Sequence, residues 1–222
     1  MAIGLDGPRW GPASGGTPQA LVVLLHGLGA DGFDLIDLAP GWGKAVPHAA
    51  FVAPHAPEPC DMAPYGKQWF SLQDRTPAMM RAGIEVAAAT LAPWLEAERA
   101  RLGLGWDKVA LMGFSQGAMT ALFAGLRRPV APRGILAFSG ALIAPERLAD
   151  ATARPPILLV HGEDDEVVPV TRSRAAQSAL EASGFGVTAL YCPRLGHGID
   201  DAGLSAGALF LQRIFALPGA AA

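Results

Sequence analysis

Short, continuously apolar runs recur along the chain, and each is followed by a longer segment in which apolar and polar residues mix. The runs are ALVVLLHG (20–27), AAFVAPHAP (49–57), KVALMGF (108–114), GILAFSG (134–140), PILLVHG (156–162) and VTALYC (187–192). A short run without polar alternation is typical of a strand that is buried on both faces. Such strands alternating with helices predict an α/β fold, with a parallel sheet covered by helices on both sides.

The segments between the runs have helix signals. The longest predicted helix begins with Thr76 as its N-cap and Pro77 at its first helical position, with a kink expected at Pro93. Further helices are predicted at 117–127, at roughly 169–183 and at 202–216. A chain of 222 residues with 51% hydrophobic content can bury one large core. We therefore predict one domain over 1–222, with an extended N-terminal arm at 1–19 and a frayed tail at 217–222.

Charge and cysteine content exclude several classes of partner. A formal net charge of −3 gives no reason to expect binding to nucleic acid or to an anionic membrane surface. Cys60 and Cys192 lack metal-ligand spacing, which favours reduced thiols in the cytosol. No apolar run reaches the roughly 18 residues of a membrane helix, and the first residues lack signal-peptide features. A soluble cytoplasmic protein without stable membrane insertion is expected.

One serine lies where a strand is predicted to turn into a helix. Gly113-Phe114-Ser115-Gln116-Gly117 fits the pattern G-x-S-x-G, and its position matches the setting of a nucleophile elbow. The alternative is a glycine-rich turn whose serine has no chemical role. A serine hydroxyl is a weak nucleophile at neutral pH, so a reactive serine needs a general base and an acid that orients the base.

Candidates for the general base and for the orienting acid follow other predicted strands. His197 lies in a Gly-His-Gly loop after the last strand, whereas His26 and His161 precede glycines at strand ends, where a structural role is more common. Four acids at 163–166 follow the strand at 156–162, and any of them could orient an imidazole. Ligands bind beyond the carboxyl ends of parallel strands. The order serine, acid, histidine is that of α/β-hydrolases and favours a nucleophilic serine.

Four stretches are similar to one protein family. LLHGLGADG (24–32), QWFSL (68–72), GFSQGAM (113–119) and HGEDDEVVP (161–169) resemble the phospholipase/carboxylesterase family of small α/β-hydrolases, which includes the acyl-protein thioesterases. HGLGADG together with GFSQG is far more specific than G-x-S-x-G alone. The resemblance implies an α/β-hydrolase fold, with a mostly parallel central sheet and helices on both faces. It also implies catalysis without a metal or an organic cofactor.

The same resemblance implies a role for individual residues. Ser115 matches the family's nucleophile and His197 its general base. The family's triad aspartate is the residue three after the glycine of its acid segment, which corresponds to Asp165, with Asp164 as a neighbour. The backbone N–H groups of Leu28 and Gln116 match the oxyanion hole. Catalysis would then run through an acyl-enzyme on the serine.

The connection 141–155 is too short to hold a large cap domain. Without a cap, the acyl group is expected to bind in a shallow groove made of loops. Trp69 and Phe70 match an aromatic pair near the family's acyl pocket, although core packing is an equal alternative for either ring. The candidate walls of the groove are Leu28, Trp69, Phe70, Leu72 and Ile199.

These observations together predict a serine carboxylesterase that hydrolyses short-to-medium acyl esters, with thioesters as a further class. Its partner would be a small-molecule ester. The alternatives are a lysophospholipase and an acyl-protein thioesterase, whose substrates are a lysophospholipid and an acylated protein. A hydrolase-fold binding protein without activity is a more remote alternative.

Overall fold

Each of the six apolar runs contains one strand of the computed structural model, which describes residues 4–216. The strands are β1 (Arg9–Trp10), β2 (Ala20–Leu25), β3 (Ala49–Val52), β4 (Glu58–Pro59), β5 (Lys67–Gln68), β6 (Val109–Phe114), β7 (Gly134–Phe138), β8 (Ile157–Gly162) and β9 (Val187–Cys192). The helices are α1 (Gly32–Ile36), α2 (Ala39–Ala45), α3 (Pro77–Arg101), α4 (Gln116–Leu126), α5 (Val170–Ala182) and α6 (Asp201–Phe215). The predicted tail at 217–222 lies outside the described residues.

Seven strands form one sheet in the order β1-β3-β2-β6-β7-β8-β9. Only the two-residue edge strand β1 is antiparallel to its neighbour, and every other pair in this sheet is parallel. The prediction of a mostly parallel central sheet is therefore confirmed. The edge strand comes from the predicted N-terminal arm, so part of that arm joins the sheet.

The apolar runs are continuous because both faces of the sheet are buried. In β2, Leu21, Val23 and Leu25 belong to one core cluster, whereas Val22 and Leu24 belong to a second cluster on the opposite face. Successive side chains of a strand point to opposite faces, so burial on both sides requires an apolar residue at every position. Helices α3, α4 and α5 cover the first face, and α1, α2 and α6 cover the second.

Most predicted boundaries lie within one or two residues of the observed ones, but the second run was predicted too long. β3 ends at Val52, although the apolar run continues to 57. The N–H groups of Ala53 and His55 donate to the carbonyls of Pro8 and Asp6 in the N-terminal arm. The pairing of β3 with β2 ends at Val52, and beyond it the backbone continues along the arm alone.

The long helix α3 begins as predicted, since the Thr76 hydroxyl accepts a hydrogen bond from the Met79 N–H at 3.5 Å and Pro77 is the first helical residue. It continues through Pro93 as one helix to Arg101. The short helices α1 and α2 and the β4–β5 hairpin were not predicted. No helix within residues 4–216 is both long and apolar enough to cross a membrane.

The described connection between β7 and β8 contains one 3-10 helix, Pro145–Asp150, and no inserted cap domain. The carboxyl ends of β2, β6, β8 and β9 lead directly into the loops that contain the candidate catalytic residues. A single sheet with a core on either face also supports our proposal that the chain forms one domain.

Candidate active site

Ser115 occupies a sharp turn between β6 and α4. Its backbone has φ 53° and ψ −116°, a conformation that L-residues rarely adopt. The turn is held on both sides, because the Ser115 N–H donates to the Phe138 carbonyl at 2.9 Å and the Ser115 carbonyl accepts from Ala118 and Met119. Ser115 lines a cavity that lies beside this turn.

The two glycines of the motif allow strand and helix to pass closely. A Cβ on Gly113 would lie 2.2 Å from the carbonyl carbon of Gly117. A Cβ on Gly117 would lie 1.9 Å from the carbonyl oxygen of Leu25 in the neighbouring strand. Both distances are far below van der Waals contact with backbone atoms that cannot rotate away. The sharp turn therefore requires glycine at both positions.

We expect Gly117→Ala to destabilise the protein by more than about 3 kcal/mol or to prevent folding, because the new methyl group overpacks a rigid backbone contact. Urea unfolding followed by circular dichroism measures the change. Gly41→Ala is the matched control, since a Cβ on Gly41 meets nothing within 4 Å and the residue lies inside α2. Helix propensity predicts that the control is neutral or more stable. A Gly117→Ala variant as stable as the control would contradict the close approach of helix and strand.

Asp165 and His197 form a short polar contact in the site. Nδ1 of His197 lies 2.7 Å from Oδ2 of Asp165, whose side chain is fully buried. The other carboxylate oxygen, Oδ1, accepts hydrogen bonds from the N–H groups of Val167 at 2.9 Å and Val168 at 2.8 Å. The aspartate is therefore held in one orientation, with one oxygen left for the imidazole.

Burial by itself raises the pKa of the Asp165 carboxyl, because a charged group is less stable away from water. The hydrogen bonds from His197, Val168 and Val167 act in the opposite direction, and the pKa lies below its ordinary value. Asp165 is thus a charged carboxylate at neutral pH. Of the four neighbouring acids only Asp165 is buried, whereas Glu163, Asp164 and Glu166 are exposed.

A second histidine contacts the same carboxylate. Nε2 of His161 lies 2.7 Å from the Val168 carbonyl oxygen and 3.2 Å from Oδ2 of Asp165. Burial lowers the pKa of His161, so the ring is neutral and carries its proton on Nε2. His161 links the acid loop to the end of β8. This structural role agrees with the one expected for a histidine before a strand-end glycine.

Ser115 and His197 line the same cavity, and the imidazole packs against the Phe114 ring at a centroid distance of 4.8 Å. Within residues 4–216 the Ser115 hydroxyl makes no hydrogen bond. Catalytic hydrogen bonds in empty sites are often long and shorten when substrate is bound. The candidate nucleophile Ser115 and the candidate base His197 therefore line one cavity.

The backbone N–H groups of Leu28 and Gln116 donate no hydrogen bond within the described part of the chain, and both residues line the cavity beside Ser115. The turn around Leu28 is held by its neighbours, because the Gly29 N–H donates to Lys67 and the Ala30 N–H donates to Gly27. Two fixed donors without a partner are what an oxyanion hole needs.

The Gln116 side chain has a role that the sequence did not predict. It is fully buried, accepts a hydrogen bond from the Trp69 N–H at 2.9 Å and donates to the Phe70 carbonyl at 2.6 Å. The amide thereby ties the segment of the QWFSL motif to the nucleophile turn. An N-terminal glutamine of a helix gives no sequence signal for such a long-range contact.

Three predicted groove residues do not line the cavity. Trp69 and Phe70 are only 2% and 3% exposed and belong to the core, where the Trp69 indole donates to the His26 carbonyl at 2.9 Å and Phe70 packs on Gly83. Ile199 packs against the core cluster on the opposite face of the sheet. The core-packing alternative therefore describes both rings, because their backbone rather than their side chains faces the site.

The cavity has a volume of about 470 Å³. Leu28 and Leu72 line it as predicted. The lining residues that were not predicted are Arg75, Met80, Met119, Ala141, Ile143, Val167, Val168, Pro169 and Arg172. Met119 could have been found, since it lies four residues after Ser115 and so on the same face of α4. The others come from distant segments and have no signal in the local sequence.

The chain is similar to known esterases and thioesterases in sequence. The family model described as phospholipase/carboxylesterase matches residues 13–215. Esterase YpfH of Escherichia coli (strain K12) is 32% identical over 184 residues, which cover 82% of this chain and 78% of that protein. Acyl-protein thioesterase 1 of Gibberella zeae is 26% identical over 231 residues and covers 96% of this chain and 97% of its own length.

Solved structures show the same similarity. Esterase PE8 superposes with a TM-score of 0.91 at 42% identity, covering 96% of this chain and 100% of that one. Acyl-protein thioesterase 2 of Zea mays superposes with a TM-score of 0.73 at 26% identity, covering 94% of this chain and 98% of that one. Both sequence and structure therefore match over almost the whole domain.

Proposed function

Because the chain belongs to the phospholipase/carboxylesterase family and is a carboxylic ester hydrolase, we propose that it is a serine carboxylesterase for short-to-medium acyl esters, with thioesters as a second class. The proposal rests on one observation. Ser115, the Asp165–His197 pair and two N–H groups that have no partner within residues 4–216 surround a single cavity at the carboxyl edge of the sheet. That set contains a nucleophile, an oriented base and donors for an oxyanion.

In the proposed first step, Asp165 holds the proton of His197 on Nδ1, which leaves Nε2 free as the base. Nε2 removes the proton of the Ser115 hydroxyl while Oγ attacks the carbonyl carbon of the substrate. The resulting oxyanion accepts hydrogen bonds from the Leu28 and Gln116 N–H groups, and each such donor is worth on the order of 3 kcal/mol of barrier. His197 then protonates the leaving alcohol or thiol, and an acyl-enzyme remains on Ser115.

In the second step, His197 accepts a proton from water, and the hydroxide attacks the acyl carbonyl. The oxyanion forms again between the same two N–H groups. Its collapse breaks the bond to Oγ, which recovers the proton from His197, and the carboxylic acid is released. His197 therefore acts as base and then as acid in both steps, while Asp165 and the two N–H groups keep the same roles.

The test is covalent labelling followed by a substrate panel. A fluorophosphonate probe should label the wild-type protein on Ser115 and leave Ser115→Ala unlabelled. A soluble short ester, a lysophospholipid and an acylated peptide should then be compared by kcat/KM. Absence of labelling and of turnover on every substrate would favour the inactive binding protein over any hydrolase.

An acyl-protein thioesterase is the second candidate. Two of the matched relatives have that name, and the match covers nearly the whole length of each. A lysophospholipase is a related alternative. The described connection between β7 and β8 contains no cap, which favours the carboxylesterase, since a groove that is open to water gives little shelter to a long acyl chain. The acylated peptide of the panel decides between them.

Acyl-chain length should therefore have a clear optimum. Each methylene covered by the cavity contributes up to ~0.8 kcal/mol, whereas methylenes beyond its end remain in water and contribute little. We expect kcat/KM on p-nitrophenyl esters to rise over short acyl chains and then to level or fall, without a jump at the critical micelle concentration. A steady rise to palmitoyl esters with interfacial activation would instead favour the lysophospholipase or thioesterase.

A cytoplasmic location and a small-molecule ester partner are also part of the proposal. Cys60 and Cys192 are both buried and unpaired. Burial raises the pKa of the Cys192 thiol to about 11, which keeps it protonated and unreactive. Free buried thiols are common in reducing compartments. Fractionation of the native host cells with an antibody to the protein tests the location.

A further inference from the structure

Two arginines line the candidate active-site cavity. Arg75 belongs to the segment between Leu72 and α3, and Arg172 belongs to the first turn of α5. These segments are far apart in sequence, and the fold brings both side chains to the same space. Among the described residues that line the cavity there is no aspartate or glutamate. Arg75 and Arg172 thus add two positive charges to the lining, and no carboxylate of the lining offsets them.

Neither guanidinium has a carboxylate partner within residues 4–216. Nε of Arg75 donates to the Leu72 carbonyl at 3.2 Å, and the Arg172 side chain makes no hydrogen bond or ion pair in that part of the chain. Some arginines of the described chain do pair with acids, since Arg99 and Arg174 lie 2.7 Å and 2.6 Å from glutamate oxygens. Donors are therefore available on both cavity arginines.

The nearest acids along the chain do not neutralise them by contact. Asp74 precedes Arg75, but its carboxylate accepts the Thr76 N–H at 2.8 Å and makes no ion pair within the described residues. Glu166 precedes the lining residue Val167, is exposed and likewise forms no ion pair there. The cavity that contains Ser115 and His197 thus also has two positively charged side chains in its lining.

The geometry points to a subsite for an anionic group of the substrate, made by Arg75 and Arg172. The preferred substrates are esters whose acyl or alcohol part carries a carboxylate or phosphate away from the scissile carbonyl. A guanidinium binds either group through paired charge-assisted hydrogen bonds. Both arginines are exposed, so water and salt weaken each contact, and two guanidinium groups together bind an anion better than one. This inference rests on the proposed esterase function and adds its substrate class.

Matched substrates measure the preference directly. 4-Nitrophenyl hexanoate and mono-4-nitrophenyl adipate have the same reactive ester and differ at the far end of the acyl chain, where a carboxylate replaces a methyl group. 1-Hexanoylglycerol and 1-hexanoylglycerol 3-phosphate make the same comparison on the alcohol side. We define discrimination as kcat/KM for the anionic ester divided by kcat/KM for its neutral partner. A value above one in either pair supports the subsite and shows which part of the substrate it holds.

Variants identify the residues that cause the preference. Exposed ion pairs are individually weak, so we expect discrimination to fall roughly threefold in Arg75→Gln or Arg172→Gln and about tenfold in the double variant. Arg75→Lys and Arg172→Lys should give intermediate values, because lysine keeps the charge but loses the paired geometry. Arg213→Gln is the charge-matched control, since Arg213 lies on α6 over the Phe210 ring and does not line the cavity.

Several outcomes would overturn the inference. Discrimination at or below one in both pairs would show that the arginines do not select anionic esters. Equal discrimination in wild type and double variant would show that these two arginines do not cause the preference. An equal loss of discrimination in Arg213→Gln would assign the preference to net charge instead. Turnover of the neutral esters without discrimination would reject the subsite and leave the esterase function intact. Failure to hydrolyse all four esters would reject both.

Discussion

Ser115→Ala should abolish measurable turnover, with kcat reduced by roughly 10⁴- to 10⁶-fold, the range found when a catalytic serine is removed. The methyl group of alanine cannot attack a carbonyl, and no other hydroxyl of the described chain lines the cavity. The residual rate would come from the oxyanion donors and from binding alone. Steady-state kinetics on a soluble p-nitrophenyl ester, at high enzyme concentration, measures the loss.

The same variant should keep its stability. The Ser115 hydroxyl makes no hydrogen bond within residues 4–216, so its removal leaves no described partner unsatisfied. The backbone at φ 53° is equally unfavourable for serine and alanine, so the strain of the turn does not change. We expect the free energy of unfolding to stay within about 0.5 kcal/mol of wild type. Substantial activity in a folded Ser115→Ala protein would reject Ser115 as the nucleophile.

The main elements of the fold could be predicted because burial on both faces leaves a strong trace in the sequence. Every position of β2 must be apolar, and such a run is hard to mistake. The β4–β5 hairpin leaves no such trace, since Glu58–Pro59 and Lys67–Gln68 are polar and only two residues long. The hairpin is held by tertiary contacts, among them the Lys67 N–H to the Ala30 carbonyl at 2.8 Å. Local sequence does not contain that information.

The candidate site likewise contains residues that could be predicted from the sequence and residues that could not. Ser115 and His197 were predictable from motif and chain order, because their backbone surroundings are local and rich in glycine. The acid was not predictable from the residues alone, since any of the four carboxylates at 163–166 could orient an imidazole, and the burial that distinguishes Asp165 is a property of the folded loop. The resemblance selected Asp165, and the geometry places that carboxylate against His197.

The walls of the cavity were the least predictable part. The motif QWFSL marks a segment near the site but does not indicate which atoms face it. In the structure Trp69 and Phe70 present backbone groups to Gln116 and turn their rings into the core. Met80 and Arg172 come from helices whose sequence shows no sign of a site. Side-chain direction and long-range proximity therefore decide substrate contacts, and neither follows from spacing.

Asp165→Asn should reduce kcat by about 10⁴-fold, an effect of the size seen when a triad aspartate is replaced by asparagine. The N–H groups of Val167 and Val168 both point at Oδ1 and so keep an oxygen at that position. The amide nitrogen must then take the place of Oδ2, opposite Nδ1 of His197. An NH₂ group donates to Nδ1, so the imidazole proton moves to Nε2. His197 then cannot accept the Ser115 proton.

Asp164→Asn provides the matched control, because the same change of charge and shape is made one residue away. The Asp164 side chain is exposed and makes no hydrogen bond within the described residues, so we expect less than about a twofold change in kcat.

Asp165→Asn also leaves the amide facing the His161 N–H, which is 3.2 Å from Oδ2 in wild type. Two buried donors that face each other without an acceptor cost roughly 1–3 kcal/mol of stability. Rates are therefore normalised to the folded fraction measured by circular dichroism, and equal losses in the two variants after that correction would reject Asp165 as the acid that orients His197.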